Sequence, residues 1–201
     1  MRSALRSAVV ARDIETVRNL LASGAAVNET GDYGWTALML AVKYKQLEIV
    51  RLLMAHSADT ELYNSHGKAA LHHAIDGDDA ASALALLQGG TSPDLPLRNR
   101  IPSLHTPDES IAPLVQATIL GKTEVLRLLI EFGAEVNARN TSGETVLIIA
   151  LRRGKRRVAK LLIQQEADVN AMTHDGTTPL MLAQSQAMRA IRLLLENAGA
   201  K

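Results

Sequence analysis

The chain has 201 residues and a formal net charge of +1; 47% of them are hydrophobic and only 2% aromatic. These values fit a folded globular chain with a core of Leu, Ala, Val and Ile, and they exclude disorder or a polyelectrolyte built for DNA or membranes. The absence of Cys excludes disulfides, thiolate nucleophiles and Cys-based zinc sites, and no run of about 18 apolar residues is present to span a membrane.

The first segment, "MRSALRSAVVARD", carries Arg and Ser without an early acid, a faint echo of a transit peptide, but its apolar stretch is too short for secretion. It reads better as a capping helix that begins at about Ser3, because Leu5 and Ala8 within it open an internal period. Leu38 and Ala41 follow 33 residues later, and Leu71 and Ala74 after another 33. A step of 43 leads to Leu114 and Ala117, and steps of 33 to Leu147 and Ala150, then Leu180 and Ala183. Twelve residues after each Ala stands a Leu, from Leu20 to Leu195. The period divides the chain into six repeats at about 1–31, 32–64, 65–94, 108–140, 141–173 and 174–201, with an insertion at about 95–107.

Each repeat predicts two short helices and a turn. Thr36, Thr145 and Thr178 are placed to cap the first helix, and Pro113 and Pro179 fall in its first turn. Gly at the "GA" positions is placed to end the second helix in a left-handed conformation. Neither helix is long enough to stand alone, so stacking of repeats has to supply the core. The third repeat, "AIDGDDAASALALLQGG", is rich in Ala, Asp and Gly, and its second helix is expected to bury less. The stretch from about Thr91 to Ser110 holds Pro93, Pro96, Pro102 and Pro107 and predicts an exposed, more mobile loop.

The combined pattern "G-x-T-P-L-M-L-A", "E-I-V-R-L-L-M" and "G-A-E-V-N-A-R" resembles the ankyrin repeat over roughly residues 3 to 200. The resemblance implies an all-α solenoid of stacked helix–turn–helix repeats with short β-hairpin fingers. It also implies a groove between fingers and first helices that binds other proteins. The first repeat lacks a finger and the last stops at Gly199-Ala200, so a complete array is expected.

Signatures of chemistry fail on inspection. "LGKTE" at Leu120–Glu124 would need Gly at Gln116 and a preceding strand to be a phosphate loop. His72 and His73 are adjacent, so on a helix they diverge and make a poor metal pair; His72 reads as a hydrogen-bonded structural residue. Asp76, Asp78 and Asp79 lack the Gly and distal Glu of a calcium loop. No catalytic, metal or cofactor site is therefore expected. "LIEFGAEVN" and "LIQQEADVN" match the pattern that asparagine hydroxylases modify in similar repeats. Asn137 and Asn170 would be the targets, although hydrogen bonding to the finger turn is the favoured role.

The same resemblance assigns the groove. Its residues would include Tyr33, Trp35, Lys43 and Tyr44 in repeat two, and His66, Lys68 and Asp76 in repeat three. Repeat five would add Glu144, Arg152 and Arg153, and repeat six His174. The single Trp and two of the three Tyr fall on one stretch of it, the composition of a binding hot spot. Trp35→Ala is accordingly expected to weaken partner binding and to move the thermal melt little. The expected function is non-catalytic binding of a partner protein by a monomer, in the cytoplasm or nucleus, with nucleic acid disfavoured. The alternative is anion binding, to nucleic acid or lipid headgroups, at "RRGKRR" (Arg152–Arg157), through Arg152, Arg153 and Lys155.

Overall fold

The structure is a computed structural model that describes residues 3–98, 111–140 and 143–201. Threonine caps start the first helix of several repeats. The hydroxyl of Thr36 accepts from the Met39 N–H at 3.2 Å, that of Thr145 from Ile148 at 3.5 Å and that of Thr178 from Met181 at 3.4 Å. Each satisfies one of the backbone donors that a helix start leaves free. Asp13 and Asp79 do the same for second helices, accepting from the Thr16 and Ser82 N–H groups.

The helices follow the period. They are α1 (Ala4–Ala11), α2 (Ile14–Ala22), α3 (Ala37–Lys43), α4 (Leu47–Ala55), α5 (Ala70–Gly77) and α6 (Ala80–Gln88). Then come α7 (Pro113–Leu120), α8 (Thr123–Glu131), α9 (Val146–Arg152), α10 (Arg156–Gln164), α11 (Pro179–Leu182) and α12 (Arg189–Asn197). Two bodies result, Met1–Pro113 and Leu114–Lys201. In the first, α1, α3 and α5 pack in one row and α2, α4 and α6 in a second, each first helix also contacting its own second helix. Leu38, Leu53, Leu71 and Leu86 are fully buried in it. In the second body α9 packs on α10 and α11, and α10 on α8 and α12; Leu129, Leu147, Leu162 and Leu195 are its buried column residues.

α6 departs from expectation. It buries Ser82, Ala83, Ala85, Leu86 and Leu87, more positions than α2 or α4. Burial depends on how closely neighbours approach, and small side chains permit close approach. The Met54 side chain lies so near Gly89, just past α6, that a Cβ there would come within 2.1 Å of its Cε.

The fingers are hairpins closed by one repeated bond, from Gly31 N–H to the Trp35 carbonyl, Asn64 to Lys68, Asn140 to Glu144 and Thr173 to Thr177. Isolated antiparallel bridges, Leu97–Ile111 and Arg139–Thr145, are the β pairing among the described residues. Successive fingers of the first body are joined: the Ser65 N–H donates to the Tyr33 carbonyl at 2.8 Å, and Arg98 to Gly67 at 2.9 Å. Gly67 has φ +67°, and a Cβ there would overlap the Arg98 carbonyl at 1.4 Å. That position is closed to other residues on both counts.

The insertion begins later than its prolines suggest. Thr91, Leu95 and Leu97 are buried, not part of an exposed loop. The Leu97 N–H donates to the Ile111 carbonyl at 2.9 Å, which is the finger-closing bond of the other repeats with ten more residues enclosed. Leu95 takes the column position of Leu62 and Leu97 that of Asn64, and the burial of both leucines outweighs the local turn chemistry. The mobility expected up to Ser110 concerns residues 99–110, which lie outside the described residues.

The "VN" asparagines act between repeats. Asn28 accepts from the Asp59 N–H at 2.7 Å, Asn137 from Asp168 at 2.8 Å and Asn170 from Lys201 at 2.9 Å. Each carboxamide thus clamps the backbone about 31 residues further on, rather than its own finger turn. A side chain that satisfies a neighbour's backbone ties two otherwise separate repeats.

Candidate functional site

The first body brings Tyr33, Trp35 and Tyr44 around one recess of about 290 Å³, with Arg6, Val10, Gly31, Asp32 and Leu40 completing its lining. Tyr33 sits at the finger tip with φ +56° and is 73% exposed; Tyr44, the C-cap of α3, is 36% exposed. Trp35 is half-buried. Its ring stacks on His73 of α5 at 4.5 Å and 28°, and Lys43 Nζ stands 4.6 Å from the ring centre, a cation–π contact. Trp35 therefore joins its finger to the next repeat as well as facing the recess. The expectation of a small effect on the melt does not fit this geometry.

His66, Lys68 and Asp76 lie next along the same body. The His66 ring is 6.5 Å from that of Tyr33. Lys68 Nζ meets Asp76 Oδ2 at 2.5 Å, so these two charges pair with each other. Asn64, His73 and Arg6 are not among the expected groove residues, yet they position it. Asn64 Oδ1 accepts from the His66 and Lys68 N–H groups, and its Nδ2 donates to His73 Nε2 at 3.0 Å. This bond makes Nδ1 the protonated nitrogen of His73. The one available signal was the recurrence of Asn at 64 and 140, three residues before the finger Gly.

His72 is fully buried and holds α5 in place. Its Nδ1 accepts from the Ala69 N–H at 3.0 Å, and the Leu95 backbone lies near the ring. Ala69 stands where other repeats carry the capping Thr, so His72 supplies the polar end that Ala cannot. Burial lowers the pKa values of His72 and His73 to about 4, and the Lys68 charge adds to the effect on His73.

Arg6 of α1 is buried at 6% exposure. Its Nη1 donates to the Glu29 carbonyl at 3.1 Å and lies 3.8 Å from the Glu29 carboxylate. The guanidinium occupies the space in front of Gly31, where a Cβ would meet Arg6 Cζ at 2.5 Å.

In the second body, Arg152 stands between two carboxylates, 3.1 Å from Glu144 and 3.7 Å from Asp175. Asp175 also accepts from the hydroxyl of Thr173. Its pKa is lowered to about 2, first by Thr173, then by Thr177, with Arg152 contributing least. The His174 ring lies over Gly143, its Cδ2 at 2.8 Å from where a Cβ would be. Arg153 is exposed at the C-cap of α9. Gly154, at φ +65°, makes the left-handed turn into α10. "RRGKRR" is thus a helix–turn–helix corner: Arg152 is ion-paired, Arg156 donates to the Ala187 carbonyl at 3.0 Å, and Arg157 is exposed. The Asn137 and Asn170 carboxamides are engaged in the clamps already described. Among the described residues, no three or more His, Cys, Asp and Glu gather to hold a metal, and no helix is long and apolar enough to cross a membrane.

Comparison with known proteins agrees with this geometry. The family profile described as "Ankyrin repeats (3 copies)" matches residues 5–96 and 112–201. The nuclear factor NF-kappa-B p105 subunit of Gallus gallus is 32% identical over 129 residues, 63% of this chain and 12% of that protein. The chain therefore spans about an eighth of that relative's length. Among solved structures, the ankyrin repeat domain of Bcl-3, a member of the IkappaB protein family, superimposes with a TM-score of 0.84 at 28% identity, covering 100% of this chain and 87% of that one. An ankyrin repeat domain from Acinetobacter baumannii gives 0.82 at 26% identity and 98% coverage of both chains.

Proposed function

The chain belongs to the ankyrin repeat family, and on that premise we infer that it is a non-catalytic module, acting as a monomer in the cytoplasm or nucleus, that binds a partner protein through the finger-side surface of its first body. One observation carries this reading: the scarce aromatic residues Tyr33, Trp35 and Tyr44 converge on a single recess. Large, rigid, partly exposed rings bury area at little entropic cost, as interface anchors do. The ion pair of Lys68 with Asp76 narrows the charge available beside it, while Tyr33 and Tyr44 remain exposed at the recess. The anion-binding alternative at Arg152, Arg153 and Lys155 is weakened because Arg152 is already held between Glu144 and Asp175.

Tyr33 and Tyr44 are the sites to test, since both are exposed. Affinity capture with the wild type beside Tyr33→Ala and Tyr44→Ala identifies a candidate partner, whose affinity is then measured in purified form. Each substitution is expected to weaken binding by about 1–2 kcal/mol with an unchanged melt. Unchanged affinity in both variants rejects the surface. A steep loss of affinity with salt, abolished by Arg153→Ala, selects the anion reading instead.

A further inference from the structure

The second helices carry two corresponding positions, three residues apart, near their N-terminal ends. In α2 these hold Glu15 and Arg18, 3.9 Å apart, and in α8 Glu124 and Arg127, 3.0 Å apart. Such pairs neutralise themselves. In α10 the same positions hold Arg157 and Lys160, and in α12 they hold Ala190 and Leu193. A positive pair therefore stands beside an apolar one. Arg157 lies in the first turn of α10, which contains no acid, and a cation there faces the positive end of the helix dipole.

These positions line one recess between α10 and α12, of about 470 Å³. Arg156, Arg157 and Lys160 form one side; Ala190, Leu193 and Leu194 belong to the other. Leu193 is 48% exposed. Arg156 is committed to the Ala187 carbonyl and shapes the rim. Arg157 and Lys160 have no ion pair among the described residues, and no carboxylate lines the recess.

We propose that this recess docks an acidic, amphipathic peptide segment of a partner protein. Apolar side chains of the segment enter over Leu193 and Ala190 while its carboxylates meet Arg157 and Lys160. Charge complementarity names the occupant: two unneutralised cations beside an apolar floor match a helix with Asp or Glu flanking Leu or Ile. The recess is open to solvent along its length, as a helix-binding groove has to be, and a concave floor receives a protruding side chain better than a flat bilayer does. The surface shares no residue with the recess around Trp35, so the two can be tested separately.

The test is selection of a random 16-residue peptide library on the full chain, followed by affinity measurement with synthetic copies at physiological salt. Enriched peptides are expected to combine acidic residues with Leu, Ile or Phe at helical spacing. The double change Arg157→Glu, Lys160→Glu is expected to weaken them tenfold or more, and so is Leu193→Gln. Ala190→Glu, at an exposed position, provides the same reading if Leu193→Gln disturbs the melt. Tyr33→Ala is expected to leave them unaffected. The proposal is overturned if no such peptide is enriched or if the peptides respond to Tyr33→Ala. It also fails if charge reversal weakens them while both Leu193→Gln and Ala190→Glu do not, which is bulk attraction. Binding to phosphatidylserine vesicles with no peptide selected assigns the surface to lipid and also overturns it.

Discussion

The Trp35 ring is held by stacking on His73 and by the Lys43 ammonium. An aromatic stack contributes about 0.5–1.5 kcal/mol beyond area burial, and a cation–π contact about 0.5–1 kcal/mol at an exposed site. Trp35→Ala is therefore expected to lower folding stability by about 2 kcal/mol, measured by denaturant unfolding. Lys43→Ala should cost much less. A double-mutant cycle of Trp35→Ala with His73→Ala should show coupling of at least about 0.5 kcal/mol; additive effects would mean that the stack contributes nothing. The presence of a scarce Trp was legible in the sequence, but its partner was not. A period aligns equivalent positions of different repeats and does not say which unlike positions touch, and His73 lies 38 residues from Trp35 in the chain.

At the scale of elements, the finger closed by Leu97 and Ile111 uses the same backbone bond as its neighbours but encloses a longer connection. Loop closure entropy grows slowly with length, about 1 kcal/mol between four and fourteen residues. Deleting ten residues, 100–109, restores the common spacing and is expected to change stability by no more than about 1 kcal/mol, read from chemical denaturation. A loss of several kcal/mol would show that the long connection packs as part of the fold. The helix pairs and their caps were readable because they depend on local chemistry and on a spacing repeated six times. Two features escaped that reading. The burial of α6 depends on how its neighbours cover it, and the start of the insertion depends on the burial of Leu95 and Leu97 within a proline-rich stretch.

For the molecule as a whole, the two bodies should differ in their response to acid. His72 and His73 belong to the first body and titrate at about 4 in the folded chain, against an ordinary value of about 6.5. The unfolded chain therefore takes up their protons first. Their contribution is fully present above about pH 6.5 and is lost as pH falls towards 4. Asp175, in the second body, is depressed to about 2 by its threonine hydrogen bonds; its contribution is lost only as pH falls from the ordinary carboxylate range towards 2. Amide exchange resolved by body is expected to show protection falling in α3–α6 between pH 6.5 and 4 while α9 and α10 hold. Equal loss in both bodies over that window would contradict the assignment to the buried histidines. His72→Gln should flatten the first body's dependence, although loss of the Ala69 bond will lower its stability at neutral pH.

Arg6 and Gly31 also constrain how this sequence can change. Gly31 has an ordinary φ of −101°, and it is the Arg6 guanidinium that occupies the space of a Cβ. The requirement for glycine at 31 is therefore conditional on a residue 25 positions away. Gly31→Ala should cost stability in the present background, where the guanidinium has to move off the Glu29 carbonyl, and be milder after Arg6→Ala, a sign of epistasis that thermal melts of the four variants can measure. Drift at these two sites has a preferred order: position 31 grows at least cost once position 6 has shrunk.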